Sequence, residues 1–308
     1  MGIAFVFPGQ GAQKVGMAQD FYESSEESRK IFDIADKNLD FDIKKVCFEE
    51  NREIDITEYT QAVLLTACMA MYAEFEKKGI KPDVCAGLSL GEYAAMVVSG
   101  VMKFEDAVKA VRKRGILMQE AVPYGAGSMS AVIGLDNETV EKVCAGIEGV
   151  EVANYNCPGQ VVISGIEKSV KKAGEELSEK GARRVIPLNV SGPFHSSMLK
   201  DAGEKLGEFL NTIEINNPEI PYVTNVTAEY ISDNTRIVDL LKKQVCSSVK
   251  WQQSVENMIK NGIDTFIEIG PGRTLTGFVK KIDSSVKAYN IQKLEDIEKV
   301  VKALEGEN

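Results

Sequence analysis

One seven-residue stretch, Gly-Leu-Ser-Leu-Gly-Glu-Tyr at 87–93, constrains this chain more than any other. It joins a short, mostly apolar run at 83–86 to a second apolar run at 93–98 that can be helical. A G-x-S-x-G turn between a strand and a helix holds its serine on a sharp, exposed bend. The next backbone N–H then points to where an oxyanion would form. The pattern predicts a nucleophile at Ser89 and an oxyanion donor at Leu90, with an ordinary serine in a glycine-rich turn as the alternative.

The N-terminal segment predicts a central buried strand at 3–7, because five apolar residues run directly into Pro-Gly-Gln-Gly. The following loop lacks the Lys-Ser/Thr pair of a phosphate-binding loop and the full G-x-G-x-x-G spacing, so nucleotide binding is not expected. A backbone N–H offered by Gln10 at the top of the sheet is the more fitting role. A plain connecting loop is the alternative.

Composition excludes several classes of function. The 308 residues carry a net charge of −10 and no basic tract, which argues against nucleic acid and anionic membranes as partners. We find neither a signal peptide nor an apolar run long enough to span a membrane. Six widely spread cysteines without a C-x-x-C pair predict reduced, buried thiols in a cytoplasmic protein, and neither a disulfide framework nor a zinc site.

The sequence contains a single histidine, His195. A multi-histidine metal site is therefore excluded, and any serine–histidine catalysis must use this residue. A lone histidine is more often structural than catalytic. Its place in a Gly/Pro turn, where an inserted subdomain is expected to rejoin the main chain, favours a position in a cleft.

The order of predicted elements divides the chain into two parts. Between 124 and 190 the pattern predicts strand, helix, strand, strand, helix and strand, which is the βαββαβ order of a ferredoxin-like unit. We expect this small subdomain to be inserted into a core formed by 1–123 and 191–308. In the core, strands and helices alternate, which predicts an α/β fold with a parallel sheet.

Two polar residues occur in otherwise apolar helices. Arg114, followed by Gly115, lies in a helix predicted over 104–122, where a solvated or surface-paired arginine is the commoner explanation. Gln61 lies near the start of a helix predicted over 57–78. It could line a site, although a capping or surface role is commoner.

Six motifs occur together in a fixed order. They are FVFPGQGAQ at 5–13, GLSLGEY at 87–93, VRKRG at 111–115, NCPGQVVISG at 156–165, GPFHS at 192–196 and IEIGPGRTLTG at 267–277. Each motif alone is weakly specific, but together they resemble the malonyl-CoA:acyl-carrier-protein transacylases of bacterial fatty-acid synthesis over almost the whole chain. The resemblance implies a hydrolase-like α/β core with a ferredoxin-like insert.

The resemblance also implies roles for the residues at the turn. Ser89 becomes malonylated, His195 is its general base, and the backbone N–H groups of Gln10 and Leu90 form the oxyanion hole. A backbone carbonyl orients the histidine in this family, and we expect it from segment 247–250. The kinetics should be ping-pong, through a malonyl-serine intermediate. No cofactor or metal is required; the substrates are malonyl-CoA and holo acyl carrier protein, and we expect a monomer.

Substrate selection is implied in the same way. Arg114 binds the malonyl carboxylate, since a guanidinium can hold a carboxylate through two parallel hydrogen bonds. Gln61 lines the site nearby, and Phe194 suits the malonyl-selective form of the family. The chain departs from the family at Leu88, where a histidine often precedes the nucleophile. That histidine is not the base, so its loss should not abolish activity.

Three other functions stay open from the sequence. A serine esterase or thioesterase could use the same turn, although such hydrolases usually place an acidic residue between serine and histidine. A non-catalytic protein could retain the fold. A discrete acyltransferase of a polyketide pathway would share the chemistry and differ in its carrier protein.

Overall fold

The computed structural model describes residues 2–123, 125–190 and 192–306. Its strands are β1 Ile3–Phe7, β2 Val84–Gly87, β3 Gly127–Ile133, β4 Val150–Cys157, β5 Gln160–Ile166, β6 Arg184–Pro187, β7 Tyr222–Val223, β8 Tyr230–Ile231, β9 Thr265–Ile269 and β10 Lys287–Ile291. Its α-helices are α1 Gln19–Ser24, α2 Glu26–Asn38, α3 Ile43–Phe48, α4 Thr57–Glu76, α5 Gly91–Val98, α6 Phe104–Glu120, α7 Asn137–Ala145, α8 Glu167–Glu179, α9 Lys200–Leu210, α10 Ile237–Cys246, α11 Trp251–Lys260, α12 Thr274–Ile282 and α13 Leu294–Glu305.

The larger sheet has six strands in the order β10-β9-β1-β2-β7-β8, and all of its pairs are parallel except β7 with β8. The central strand β1 is buried along its whole length. Phe5 and Phe7 point into one apolar cluster, while Ala4 and Val6 point into a second cluster on the opposite face. Helices cover both faces, which is why the strand predicted at 3–7 is continuously apolar.

The smaller sheet is antiparallel, with the order β4-β5-β3-β6. Along the chain its elements follow one another as strand, helix, strand, strand, helix and strand. Helices α7 and α8 close a separate apolar cluster against this sheet. The predicted boundary residues Tyr124 and Ser191 lie outside the described residues.

Strand β2, the serine turn and helix α5 pack tightly against the end of β1. A Cβ atom added to Gly91 would lie 2.1 Å from the carbonyl oxygen of Phe7, so only glycine allows the helix to start this close to the strand. Because β1 and β2 are parallel neighbours, the loops after both strands emerge at the same edge of the sheet. That edge brings Gln10 near Ser89.

We expect Gly91→Ala to destabilise the protein by about 3 kcal/mol, because the new methyl group overpacks a site that has no room to relax. The matched control is Gly277→Ala in α12, where an added Cβ would meet nothing within 4 Å. That change should be neutral or stabilising by up to about 1 kcal/mol, from helix propensity. Denaturant unfolding measures both. Equal stability of the two variants would contradict the packing of the turn.

Candidate active site

Ser89 lies on the turn between β2 and α5 with a backbone φ of 53°. Few non-glycine residues adopt this conformation, and those that do are often at functional sites. Its backbone N–H donates to Asn225 Oδ1 at 2.6 Å, and Asn225 Nδ2 donates to the carbonyl of Gly87 at 2.7 Å. One asparagine side chain therefore fixes the turn on both sides.

His195 faces the serine hydroxyl directly. The distance from Ser89 Oγ to His195 Nε2 is 2.7 Å, and His195 Nδ1 lies 2.7 Å from the carbonyl oxygen of Gln244. Since a carbonyl oxygen can only accept, Nδ1 carries the proton and Nε2 is free to accept from the serine. This is the arrangement required of a general base.

The carbonyl that orients the imidazole is therefore not where the sequence placed it. The expected segment was 247–250, whereas the hydrogen bond goes to Gln244, in the last turn of α10. The Ser247 carbonyl, at the start of the expected segment, only contributes to raising the pKa of His195. The helix continues to Cys246, so the carbonyl that bonds the ring belongs to its last turn and lies before the expected segment.

Burial and the nearby positive charge of Arg114 lower the pKa of His195 to about 4, although the Gln244 carbonyl opposes this effect. The imidazole is therefore neutral at physiological pH. A neutral imidazole whose Nε2 faces a serine hydroxyl can take the hydroxyl proton as the oxygen attacks a carbonyl carbon.

Arg114 is buried, with 1% of its side-chain and backbone area exposed, whereas the helix pattern favoured a position on the protein surface. A Cβ on Gly115 would lie 2.8 Å from the Cα of Glu58, so this glycine lets α6 approach α4 closely. The guanidinium donates to Gln61 Oε1 at 2.8 Å, to Ser89 Oγ at 3.0 Å and to Gln244 Oε1 at 3.0 Å. Gln61 is thus an inward-facing partner of the arginine.

The charge of Arg114 is not balanced by a direct ion pair within residues 2–123, 125–190 and 192–306, where its hydrogen bonds go to Gln61, Ser89 and Gln244. All three of its hydrogen-bond acceptors are neutral. A buried cation in neutral surroundings is costly, and an anionic ligand with a carboxylate would offset that cost.

The two expected oxyanion donors lie at the ends of adjacent strands. In the described part of the chain, the backbone N–H groups of Gln10 and Leu90 donate to no protein acceptor. The Gln10 side chain donates instead to Thr57 Oγ1 at 3.0 Å, which holds the loop after β1 against α4. Both N–H groups are thus available to an oxyanion.

A cavity between the two sheets opens onto these residues. Its lining includes Ser89, Arg114, Phe194 and His195 from the core, and side chains of the small sheet and of α12 complete it. Leu88 also lines it, so the side chain that replaces the family's frequent histidine is an apolar part of the cavity wall. Away from the charged end at Arg114 the lining is mixed, because the small sheet contributes Asn154 and Asn156 as well as apolar side chains.

Comparison with protein families decides the assignment, because the profile of the acyl transferase domain matches residues 4–300. The chain belongs to this family. A malonyl CoA-acyl carrier protein transacylase of Bacillus subtilis (strain 168) is 44% identical over 311 residues, covering 99% of this chain and 98% of that protein.

Solved structures agree with the family assignment. A malonyl CoA-acyl carrier protein transacylase from Clostridium perfringens superposes with a TM-score of 0.96 at 43% identity, covering 99% of this chain and 98% of that one. A malonyl-transacylase in complex with its type II PKS acyl-carrier protein superposes with a TM-score of 0.95 at 37% identity, covering 99% of this chain and 100% of that one. These matches confirm the resemblance found in the sequence.

The sequence missed three residues that organise the site: Glu92 as a hydrogen-bonding group, Asn225 and Gln244. One of them left a signal. The buried apolar positions of α10 are 237, 240, 241 and 245, and Gln244 falls in the same stripe at helical spacing. A polar residue on the buried face of an amphipathic helix predicts an interior hydrogen-bonding role.

Three further observations concern metal sites, membrane spans and the cysteines. Among the described residues, no group of three or more His, Cys, Asp or Glu side chains could hold a metal ion. No described helix is both long and apolar enough to cross a membrane. All six cysteines are free thiols, and five of them are buried as expected.

We expect the imidazole of His195 to titrate near pH 4 and to carry its proton on Nδ1 above that pH. As the only histidine, it gives one imidazole signal in nitrogen-resolved NMR. Arg114→Ala should move the midpoint upward, toward the usual 6.5, because it removes a neighbouring positive charge. The control Arg112→Ala changes an arginine of the same helix that pairs with Asp40 and Glu58.

The control should leave the midpoint unchanged. A wild-type midpoint close to 6.5, or an equal shift in both variants, would show that the arginine does not act on the imidazole.

Proposed function

We propose that this chain transfers the malonyl group from malonyl-CoA to the phosphopantetheine thiol of an acyl carrier protein, supplying fatty-acid synthesis. The observation that carries the proposal is the buried guanidinium of Arg114, which lies 3.0 Å from the hydroxyl of Ser89 and has no direct counter-ion among the described residues. An acyl group on that serine places its own carboxylate beside the guanidinium. The names of the relatives support the same reaction.

The first half-reaction forms an ester on Ser89. His195 takes the hydroxyl proton as Oγ attacks the thioester carbonyl, and the resulting oxyanion is held by the N–H groups of Gln10 and Leu90. Collapse breaks the carbon–sulfur bond, and the imidazolium returns the proton to the coenzyme A thiolate. Loss of one such oxyanion donor typically costs about 3–4 kcal/mol.

The second half-reaction repeats these steps with a different thiol. The phosphopantetheine thiol gives its proton to His195 and attacks the malonyl-serine ester, and the serine leaves with the returned proton. Coenzyme A departs before the carrier thiol reacts, so the kinetics are ping-pong. These steps require no metal or redox cofactor.

Selectivity for the malonyl group follows from Arg114. A malonyl carboxylate can accept two parallel hydrogen bonds from the guanidinium, whereas an acetyl group leaves the buried cation without an anion. Gln61 accepts a hydrogen bond from Nη1 of the guanidinium, whereas Ser89 accepts from Nη2. Phe194 lines the cavity beside the histidine. A serine esterase would gain nothing from a buried arginine at this place.

The carrier is an acyl carrier protein, and two sources remain for it. The names of the curated relatives give an acyl carrier protein as the acceptor and name no pathway. The structural neighbour bound to a type II PKS carrier shows that a similar enzyme can serve a polyketide pathway. We favour fatty-acid synthesis because the motif set follows that family along the chain.

The finer assignments of architecture belong to the same proposal. We propose a hydrolase-like core formed by 1–123 and 191–308, and a ferredoxin-like subdomain at 124–190. The strand order β4-β5-β3-β6 supports the second assignment, because the first and third strands of the unit, β3 and β5, are central and the second and fourth, β4 and β6, form the edges. A monomeric state and a cytoplasmic location stay predictions.

Intact-mass measurement after incubation with malonyl-CoA tests the function. Wild-type protein should gain one malonyl group, and Ser89→Ala should gain none. Holo acyl carrier protein should discharge the adduct, while the apo carrier, which lacks the thiol, should not. Loss of the adduct to water regardless of carrier would indicate a hydrolase. No adduct from any acyl-CoA would indicate a non-catalytic protein.

Arg114→Ala should lower kcat/KM for malonyl-CoA by about 100-fold, the size expected when a charged hydrogen-bond pair is lost. Acetyl transfer should rise, because the substituted cavity no longer contains an unpaired cation. Steady-state transfer to holo carrier protein from both thioesters measures the change, with Arg112→Ala as the matched control. A variant that keeps the malonyl preference of the wild type would refute the role of Arg114.

A further inference from the structure

A second charged side chain, Glu92, lies behind the site. It occupies the first turn of α5, three residues after Ser89, and none of its surface is exposed. Its Oε2 atom accepts hydrogen bonds from Gln244 Nε2 at 2.6 Å and from the backbone N–H of Asn225 at 3.2 Å. A negative charge suits a helix N-terminus, but the same benefit is available at the surface. Complete burial therefore calls for another explanation.

The side-chain amide of Gln244 joins Glu92 to Arg114. Its Nε2 donates to the Glu92 carboxylate and, at 2.9 Å, to the carbonyl of Ser89, while its Oε1 accepts from Arg114 Nη2 at 3.0 Å. A guanidinium can only donate and an ionised carboxylate can only accept. The reversed amide would set donor against donor at Arg114 and acceptor against acceptor at Glu92. The Glu92 carboxylate therefore acts together with Arg114 and the Ser89 carbonyl to fix which end of the amide faces the arginine.

The amide also sets the position of the guanidinium. Arg114 Nη2 divides its hydrogen bonds between Gln244 Oε1 and Ser89 Oγ, while Nη1 is held by Gln61. If Oε1 of Gln244 turned away, the guanidinium would lose one of its three acceptors, the one that lies on the side of Glu92. Burial lowers the pKa of Arg114, and Tyr93 and then Glu92 oppose that effect.

We propose that Glu92 is a positioning residue for malonyl transfer: through the Gln244 amide, its carboxylate holds Arg114 where a malonyl carboxylate binds. The inference rests on the function proposed above. It adds that substrate preference depends on a residue that does not line the cavity. Glu92 does not reach the cavity itself, because Gln244 and the backbone of Ser89 lie between.

The groups around Glu92 make it sensitive to pH. Burial raises the pKa of Glu92 to about 7, with the hydrogen bond from Gln244 limiting the rise. Arg114 on α6 stays charged, and burial raises the pKa of Tyr93 on α5 and of Tyr222 on β7, so neither ionises near neutrality. His195 is neutral above about pH 4. Among these groups, Glu92 is the one that changes charge near pH 7.

The direct test is Glu92→Gln in the full chain, a change that keeps the size of the side chain and removes its charge. The ratio of kcat/KM for malonyl-CoA to that for acetyl-CoA, measured with holo carrier protein, should fall about tenfold, as expected for one charged hydrogen bond. The fall should appear mainly as a higher KM for malonyl-CoA, because the bound carboxylate loses a fixed partner.

The matched control is Glu268→Gln. Glu268 is another fully buried carboxylate, on β9, and it accepts from the backbone N–H groups of Leu275 at 3.1 Å and Thr276 at 2.7 Å. It has no hydrogen bond to Gln244 or Arg114 among the described residues. Its substitution should lower stability and leave the malonyl-to-acetyl ratio as in the wild type.

A pH series on the wild type gives a second readout that does not depend on the variant folding. The ratio should fall as pH decreases through about 7, because protonation removes the charge and lets the carboxyl donate as well as accept. In Glu92→Gln the ratio should be low at every pH. Using a ratio cancels effects of pH on His195 and on the carrier thiol, which both substrates share.

The outcomes separate the two proposals. Wild-type protein that transfers no malonyl group would overturn the proposed function itself. Wild-type transfer with an unchanged ratio in Glu92→Gln, or with a ratio that is flat across this pH range, would overturn the role of Glu92 alone. Equal losses with malonyl-CoA and acetyl-CoA would also overturn it, since they would mean that Glu92 only supports the turn.

Discussion

A positive charge inside the protein, on Arg114, is the constraint on which the rest of the site depends. Transfer of an ion from water to the interior costs several kcal/mol unless hydrogen bonds and an opposite charge offset it. Here the fold supplies neutral acceptors on Gln61, Ser89 and Gln244, and keeps the negative charge of Glu92 one amide away. The buried positive charge of Arg114 is therefore only partly compensated, and this favours a substrate that carries a carboxylate.

Much of the fold was predictable because its signals are local. A continuous apolar run ending in Pro-Gly predicts the central strand β1, and the glycines around Ser89 predict a sharp turn from strand to helix. Strands β7 and β8 were missed, since two residues are too few to show an alternating pattern. Those short strands matter, because the segment between them carries Asn225, which fixes the serine turn.

The site was less predictable than the fold, because its key contacts join distant segments. The amide of Gln244 meets the carbonyl of Ser89, which is 155 positions earlier in the chain. Periodicity alone could have shown that Gln244 points inward, but not which atoms it meets. The same limit applies to Arg114: its helix pattern favours a surface position, and only the family resemblance assigned it to the site.

The arginine also explains why a backbone carbonyl suffices to orient His195. A carboxylate at Nδ1 would raise the basicity of the imidazole, but it would also pair electrostatically with a guanidinium that must stay available. With the neutral carbonyl of Gln244 instead, burial and Arg114 hold the pKa of His195 at about 4. A carboxylate bound to Arg114 offsets the charge that lowers this pKa. The group that the proposed substrate carries for recognition therefore also makes the base stronger at the moment it is needed.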